Sequence, residues 1–162
     1  MSANKFRPHL LVLPEDDANR EIANGFGLRI EQNVRQFQVL SPVGGWVAVR
    51  EKFRSERIPY LKSWPEAFMI LIVDFDQREN RYDEMAKVVP DDMEHRVFIV
   101  GVWSEPERPR SDFGSFERLG EELAEECLTN QGRTWDHDQI RHNAEELTRM
   151  RATLRPIFFR SQ

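Results

Sequence analysis

The order of apolar and helical segments predicts an α/β fold: a single three-layer domain with a mostly parallel central sheet of about four strands, followed by C-terminal helices. Three observations lead there. Segments 68–73 and 97–102 are continuously apolar and β-rich, as strands covered on both faces must be. Stretches with helical spacing alternate with these runs, which is how parallel strands are joined through crossovers. The chain has 162 residues, 40% hydrophobic and 31% charged, a balance that suits one globular domain over 1–162 rather than a disordered chain.

Each element has its own signal. Residues 9–13, His-Leu-Leu-Val-Leu, lie between Pro8 and Pro14 and read as a buried strand. Ala18, Ile22, Ala23 and Phe26 fall on one helical face, with Gly25 and Gly27 placed to end that helix. Phe37 and Val39 mark a weaker strand suited to an edge. Trp46, Val49 and Phe53 begin a second helix, and 68–73 and 97–102 follow as central strands. Phe116, Leu119, Leu123 and Cys127 define a helix whose Glu121, Glu122, Glu125 and Glu126 fall mostly outside. Ile140, Ala144, Leu147, Met150 and Leu154 define a last amphipathic helix, with Asp138 as its cap and Pro156 as its stop. Residues 157–159 are expected to add a short strand or to pack against the sheet.

Composition excludes several functions. A net charge of −5 is incompatible with a uniformly basic nucleic-acid coat, though a local basic groove is compatible with it. One cysteine and four histidines allow no internal disulfide and show no zinc-site spacing. No signal peptide or membrane span is expected, and the expected location is cytoplasmic.

Chemistry is sought at the carboxyl ends of the strands, where open parallel sheets bind their ligands. Pro14-Glu15-Asp16-Asp17 follows the first strand, Asp74-Phe75-Asp76 the third, and Trp103-Ser104-Glu105 the fourth. Each strong strand thus delivers carboxylates to one rim. Like charges gathered there repel unless a cation joins them, and a hard divalent cation suits oxygen ligands of this type. Gly44-Gly45 precedes the second helix, either as a turn needing positive φ or as a place where backbone approaches a phosphate. Arg50, Lys52, Arg54 and Arg57 add positive charge after it, without the lysine of a nucleotide-binding P-loop.

Glu15 after a first strand, a glycine-containing turn, and an Asp-x-Asp ending an apolar strand together resemble a Toprim domain. The likeness covers about 10–105 and is nearest to small nuclease-type Toprim proteins of the overcoming-lysogenization-defect class; the helical part at about 112–155 lies outside it. In this chain Glu15 is followed by Asp16 where the family has Gly, and Asp76 is followed by Gln77 where glycine is common. The resemblance implies phosphodiester cleavage of nucleic acid, DNA rather than RNA, with Mg²⁺ or Mn²⁺ as cofactor. Glu15 would be the catalytic residue, Asp74, Asp76 and Glu105 the metal ligands, and Gly44, Gly45, Arg50 and Arg54 the nucleic-acid contacts. It also implies a separate ATPase partner and a setting in antiviral defence.

Plainer readings stand beside these. Glu15, Asp16 and Asp17 could cap a helix, with Asp17 nearest the helical pattern. Asp74 and Asp76 could begin a polar turn, and Glu105, among Glu107, Arg108 and Arg110, could be a solvated charge. Arg50 and Arg54 could form a solvated helix face. His137 and His142 read as surface residues and Cys127 as core. The competing functional reading is a catalytically inactive Toprim-like scaffold acting as a protein-interaction subunit; a phosphoacceptor domain of response-regulator type lacks its later strand-end lysine.

Overall fold

The computed structural model describes residues 2–30 and 35–159. Four strands, β1 (His9–Pro14), β2 (Phe37–Val39), β3 (Ala67–Ile72) and β4 (Val97–Val100), form a parallel sheet in the order β2-β1-β3-β4. β1 and β3 are neighbours in register, with Val12 opposite Ile70 and Pro14 opposite Ile72. Their carboxyl ends, and whatever follows them, therefore emerge side by side.

The apolar strands still alternate with period two. Leu10, Val12, Ile70, Ile72 and Phe98 face one core, beneath α1 (Asp17–Gly27), α6 (Phe116–Thr129) and α7 (Ala144–Phe158). Leu11, Leu13, Met69, Leu71, Val73 and Ile99 face a second core, with Val49 of α2 (Trp46–Lys52), Phe53 of a π-helical turn (Phe53–Arg57), Leu61 of α3 (Ile58–Ser63) and Met85 of α4 (Arg81–Ala86). These are the three layers the alternation predicts. A further helix, α5 (Glu107–Phe113), occupies what reads in sequence as a proline-rich loop. It starts after Pro106 and holds Pro109 in its first turn, where a missing N–H costs no helical bond.

Several local expectations are corrected. Gly25 does not end α1; a Cβ there would meet the Glu117 carbonyl oxygen at 1.8 Å, and one on Gly120 would meet that of Ile22 at 1.8 Å. The two glycines let α1 and α6 touch backbone to backbone. The cap of α1 is Asp16, whose Oδ1 accepts from the Asn19 N–H at 2.9 Å, whereas Asp17 pairs with Arg20 on the surface. Asp138 does not cap α7; it pairs with Arg108 at 2.6 Å, and α7 starts after Asn143. Pro156 does not stop α7, because in the last turn its missing N–H forfeits one bond while burial of Phe158 holds the helix. Residues 157–159 form no strand, and Phe158 packs edge-on against Phe68 of β3, 5.7 Å between ring centres. Glu126 is buried rather than outside, accepting the Thr134 N–H at 3.0 Å.

The outer edge of β4 is closed without another strand. Asn143 Oδ1 accepts the Gly101 N–H at 3.1 Å and its Nδ2 donates to the Gly101 carbonyl at 2.9 Å. Three residues on, Glu146 Oε2 accepts the Ile99 N–H at 2.9 Å, and three further, Arg149 Nη2 donates to the Val97 carbonyl at 2.7 Å. One helical face thus supplies the partners of an absent strand and blunts the edge. Asn143→Ala leaves both Gly101 backbone groups buried and unpaired. It is expected to cost about 2–4 kcal/mol in urea unfolding, and a cost below ~1 kcal/mol would show that the closure is dispensable.

Candidate active site

Glu15 follows β1 and Asp74 follows Val73, just past β3, so the pairing of those strands brings them together. Glu15 Oε2 accepts the Asp74 N–H at 2.6 Å. Asn19, one turn into α1 and 1% exposed, donates from Nδ2 to Asp74 Oδ1 at 3.4 Å. The Asp16 cap orients that turn of helix, so one short acidic segment places three of the polar groups around Asp74.

The strand alternation ends at Asp76. Asp76 and Gln77 take φ of +52° and +59°, left-handed values that cost roughly 1–2 kcal/mol each outside glycine. Gln77 thereby holds a conformation that glycine adopts without steric cost. The turn is held by bonds from the Gln77 N–H to the Trp103 carbonyl (2.9 Å) and from the Arg78 N–H to the Phe75 carbonyl (2.9 Å). Arg81 completes it: Nη1 donates to the Asp74 carbonyl at 2.7 Å and to Asp76 Oδ2 at 3.0 Å. Its side chain is only 3% exposed and its guanidinium lies 4.2 Å from the centre of the Trp46 ring.

Burial, partly offset by the Asp74 N–H and reinforced by the charges of Asp74, Asp16 and Asp76, pushes the Glu15 carboxyl up to about 7. Burial and then the Asp16 charge push Asp74 up to about 6, against the Asn19 bond and the Arg81 charge. Both groups bind protons more tightly folded than unfolded. Their contribution to stability is therefore complete below the ordinary carboxyl range near 4 and is lost as pH rises towards 7. Glu15→Gln keeps an acceptor for the Asp74 N–H and removes the ionisation. The urea midpoint of the wild type is expected to fall between pH 4.5 and 7.5, and that fall should be smaller in Glu15→Gln; equal slopes would contradict the coupling.

The remaining site residues lie in different surroundings. Glu105 pairs with Arg108 at 3.7 Å, and its N–H donates to buried Gln139 Oε1 at 2.7 Å. Gly44 and Gly45 have φ of +81° and +111° with open space where a Cβ would stand, so they meet the turn's conformational need without close packing. The Gly44 N–H donates to the Glu15 carbonyl at 2.8 Å, which ties this loop to the acidic pair. Arg50 stacks on Trp46 and lies 3.8 Å from Glu51, and Arg54 pairs with the same carboxylate at 2.8 Å. Among the described residues, no three His, Cys, Asp or Glu side chains converge at metal-ligand spacing.

Sequence reasoning missed Asn19, Arg81 and the true surroundings of His142. Asn19 stands three residues after its cap, a readable sign of the turn but not of the contact with Asp74. Arg81 gives no signal at all, since its role depends on a left-handed turn five residues earlier. His142, expected at the surface, packs between Phe75 and Trp103, with ring centres at 4.5 and 5.1 Å, and burial pushes its imidazole down to about 4. It therefore acts as a neutral aromatic wall behind the Asp-x-Asp turn.

No protein-family profile, curated protein or solved structure matches the chain. None of the helices among the described residues is long and apolar enough to cross a membrane.

Proposed function

We propose that this chain cleaves phosphodiester bonds in nucleic acid with the help of Mg²⁺ or Mn²⁺, as a Toprim-like nuclease. The observation that supports this reading best is the contact between Glu15 and Asp74 at the carboxyl ends of adjacent parallel strands. The donor set fits a hard cation: Mg²⁺ takes one or two carboxylates and completes its shell with water and substrate phosphate. Burial and neighbouring carboxylates disfavour the charge of both acids, a cost that a bound cation would offset. A cation held by Glu15 and Asp74 would supply Lewis-acid stabilisation of the phosphate and a more acidic water.

The protein's own residues divide the remaining work. Glu15 Oε2 is engaged by the Asp74 N–H, which leaves Oε1 to face the cation once its proton has gone. Asp76 contributes negative field while Arg81 fixes the turn that carries it. Gly44 and Gly45 leave open backbone beside Glu15 for a phosphate, and Arg50 and Arg54 can exchange Glu51 for one. Glu105 would have to leave Arg108 to join the metal shell. DNA as substrate, a separate ATPase partner, a cytoplasmic location and a role in antiviral defence follow the Toprim resemblance.

The test is cleavage of labelled single- and double-stranded DNA and RNA with Mg²⁺ or Mn²⁺, with and without an ATPase encoded beside the gene. Metal-dependent cutting that disappears in Asp74→Ala/Asp76→Ala supports the nuclease. The inactive-scaffold reading has one observation in its favour: the buried Arg81 cation already neutralises Asp76. On that reading no condition gives cutting, and neither metal binds.

A further inference from the structure

We propose that the cleft at the carboxyl ends of β1 and β2 is a phosphate-binding site with Arg57 and Lys52 as its cations. The proposal deepens the nucleic-acid reading above and rests on it for the identity of the natural ligand. The cleft has a volume of about 380 Å³ and is lined by Leu13 of β1, residues 38–43 at and after β2, Lys52 and Arg57. It lies on the ligand-binding rim of the sheet, and the loop that forms one side is bonded through the Gly44 N–H to the Glu15 carbonyl. A chain of phosphates could thus run from this cleft to the acidic pair.

Arg57 is prepared for an oxyanion in a way that its neighbours are not. Arg50 and Arg54 share Glu51, and Lys52 holds exposed Glu56 at 2.8 Å. Arg57 has no ion pair within 4 Å and no side-chain hydrogen bond among the described residues, and its Nε is shielded from solvent. An unsatisfied, shielded donor on a cation is costly to keep. A phosphate accepts parallel N–H bonds from a guanidinium and would satisfy it. Ser41 also lines the cleft and offers a hydroxyl.

The backbone points the same way. Arg57 is the last residue of the π-helical turn, which interrupts the helical period between buried Phe53 and buried Leu61. Such a turn re-aims the side chains that follow it, and these turns concentrate at functional sites.

The test is titration of the full chain with inorganic pyrophosphate in EDTA, followed by amide chemical shifts, and then with a short single-stranded DNA. Pyrophosphate is expected to shift 41–45 and 52–57, with binding about tenfold weaker in Arg57→Gln and DNA binding weakened in parallel. Arg118→Gln, which removes a paired surface charge on α6, should stay within about twofold of wild type, and Arg57→Lys should bind between wild type and Arg57→Gln. Shifts elsewhere, or equal affinity in Arg57→Gln with an unchanged spectrum, overturn the site. Pyrophosphate binding that is lost in Arg57→Gln while DNA does not bind identifies a free-phosphate site and removes nucleic acid as its ligand. Binding of both without metal-dependent cleavage keeps the site and removes the nuclease, whereas cleavage with unchanged KM in Arg57→Gln does the reverse.

Discussion

Asp74→Asn is expected to lower metal-dependent cleavage by about a thousandfold while leaving the protein folded. Asparagine keeps the shape of the side chain and an oxygen for Asn19 Nδ2, so the turn before Arg81 is preserved. It removes an anion whose proton affinity burial has already raised, so at pH 8 the variant should be at least as stable as wild type. The separation of the two effects is the point of the experiment. Activity lost together with stability would mean that the residue holds the turn rather than the cation; activity retained would take Asp74 out of the chemistry.

The second large effect concerns Gly101. A Cβ at this position would stand 1.5 Å from the carbonyl oxygen of Val73 and 2.7 Å from its carbon. Both are backbone atoms that cannot rotate away. Gly101→Ala must therefore push β4 from the end of β3 or break the bonds to Asn143. A loss of about 3 kcal/mol or more in urea unfolding is expected, at the upper end for overpacking a buried site. Because Val73 immediately precedes Asp74, cleavage at low temperature should fall even in the fraction that stays folded. A cost under ~1 kcal/mol would show that the two strands separate easily there.

The sequence carries the sheet because each strand is bounded by residues that end it and filled by residues that only a covered strand tolerates. Proline at positions 8 and 14, and the runs at 68–73 and 97–102, leave little choice of strand type, while the register comes from the fold. The order that sets β1 beside β3 is not written in those signals, and the meeting of Glu15 and Asp74 comes from the fold. What stays hidden is set by contacts between distant elements. The glycines at 25 and 120 look like helix breakers until α1 and α6 are seen to touch through them. Asp138 looks like a cap until Arg108 is seen to claim it. Pro156 looks like a stop, yet the burial of Phe158 outweighs one missing bond. In the same way, Glu105 reads as a third strand-end acid, and only the fold reveals its pairing with Arg108.

The central claim is that Glu15 and Asp74 form a cation site, and the direct measurement is calorimetric titration of the metal-free protein with Mn²⁺ and Mg²⁺ at pH 6 and pH 8. Each carboxyl must lose its proton before it can bind a metal, so affinity should rise with pH across the range in which Glu15 and Asp74 titrate. Proton release should accompany binding at pH 6, and Asp74→Asn and Glu15→Gln should each lose most of the heat. Binding that ignores pH and survives both substitutions, or no binding at either pH, would contradict the account and leave the acids as parts of an inert turn beside Arg81.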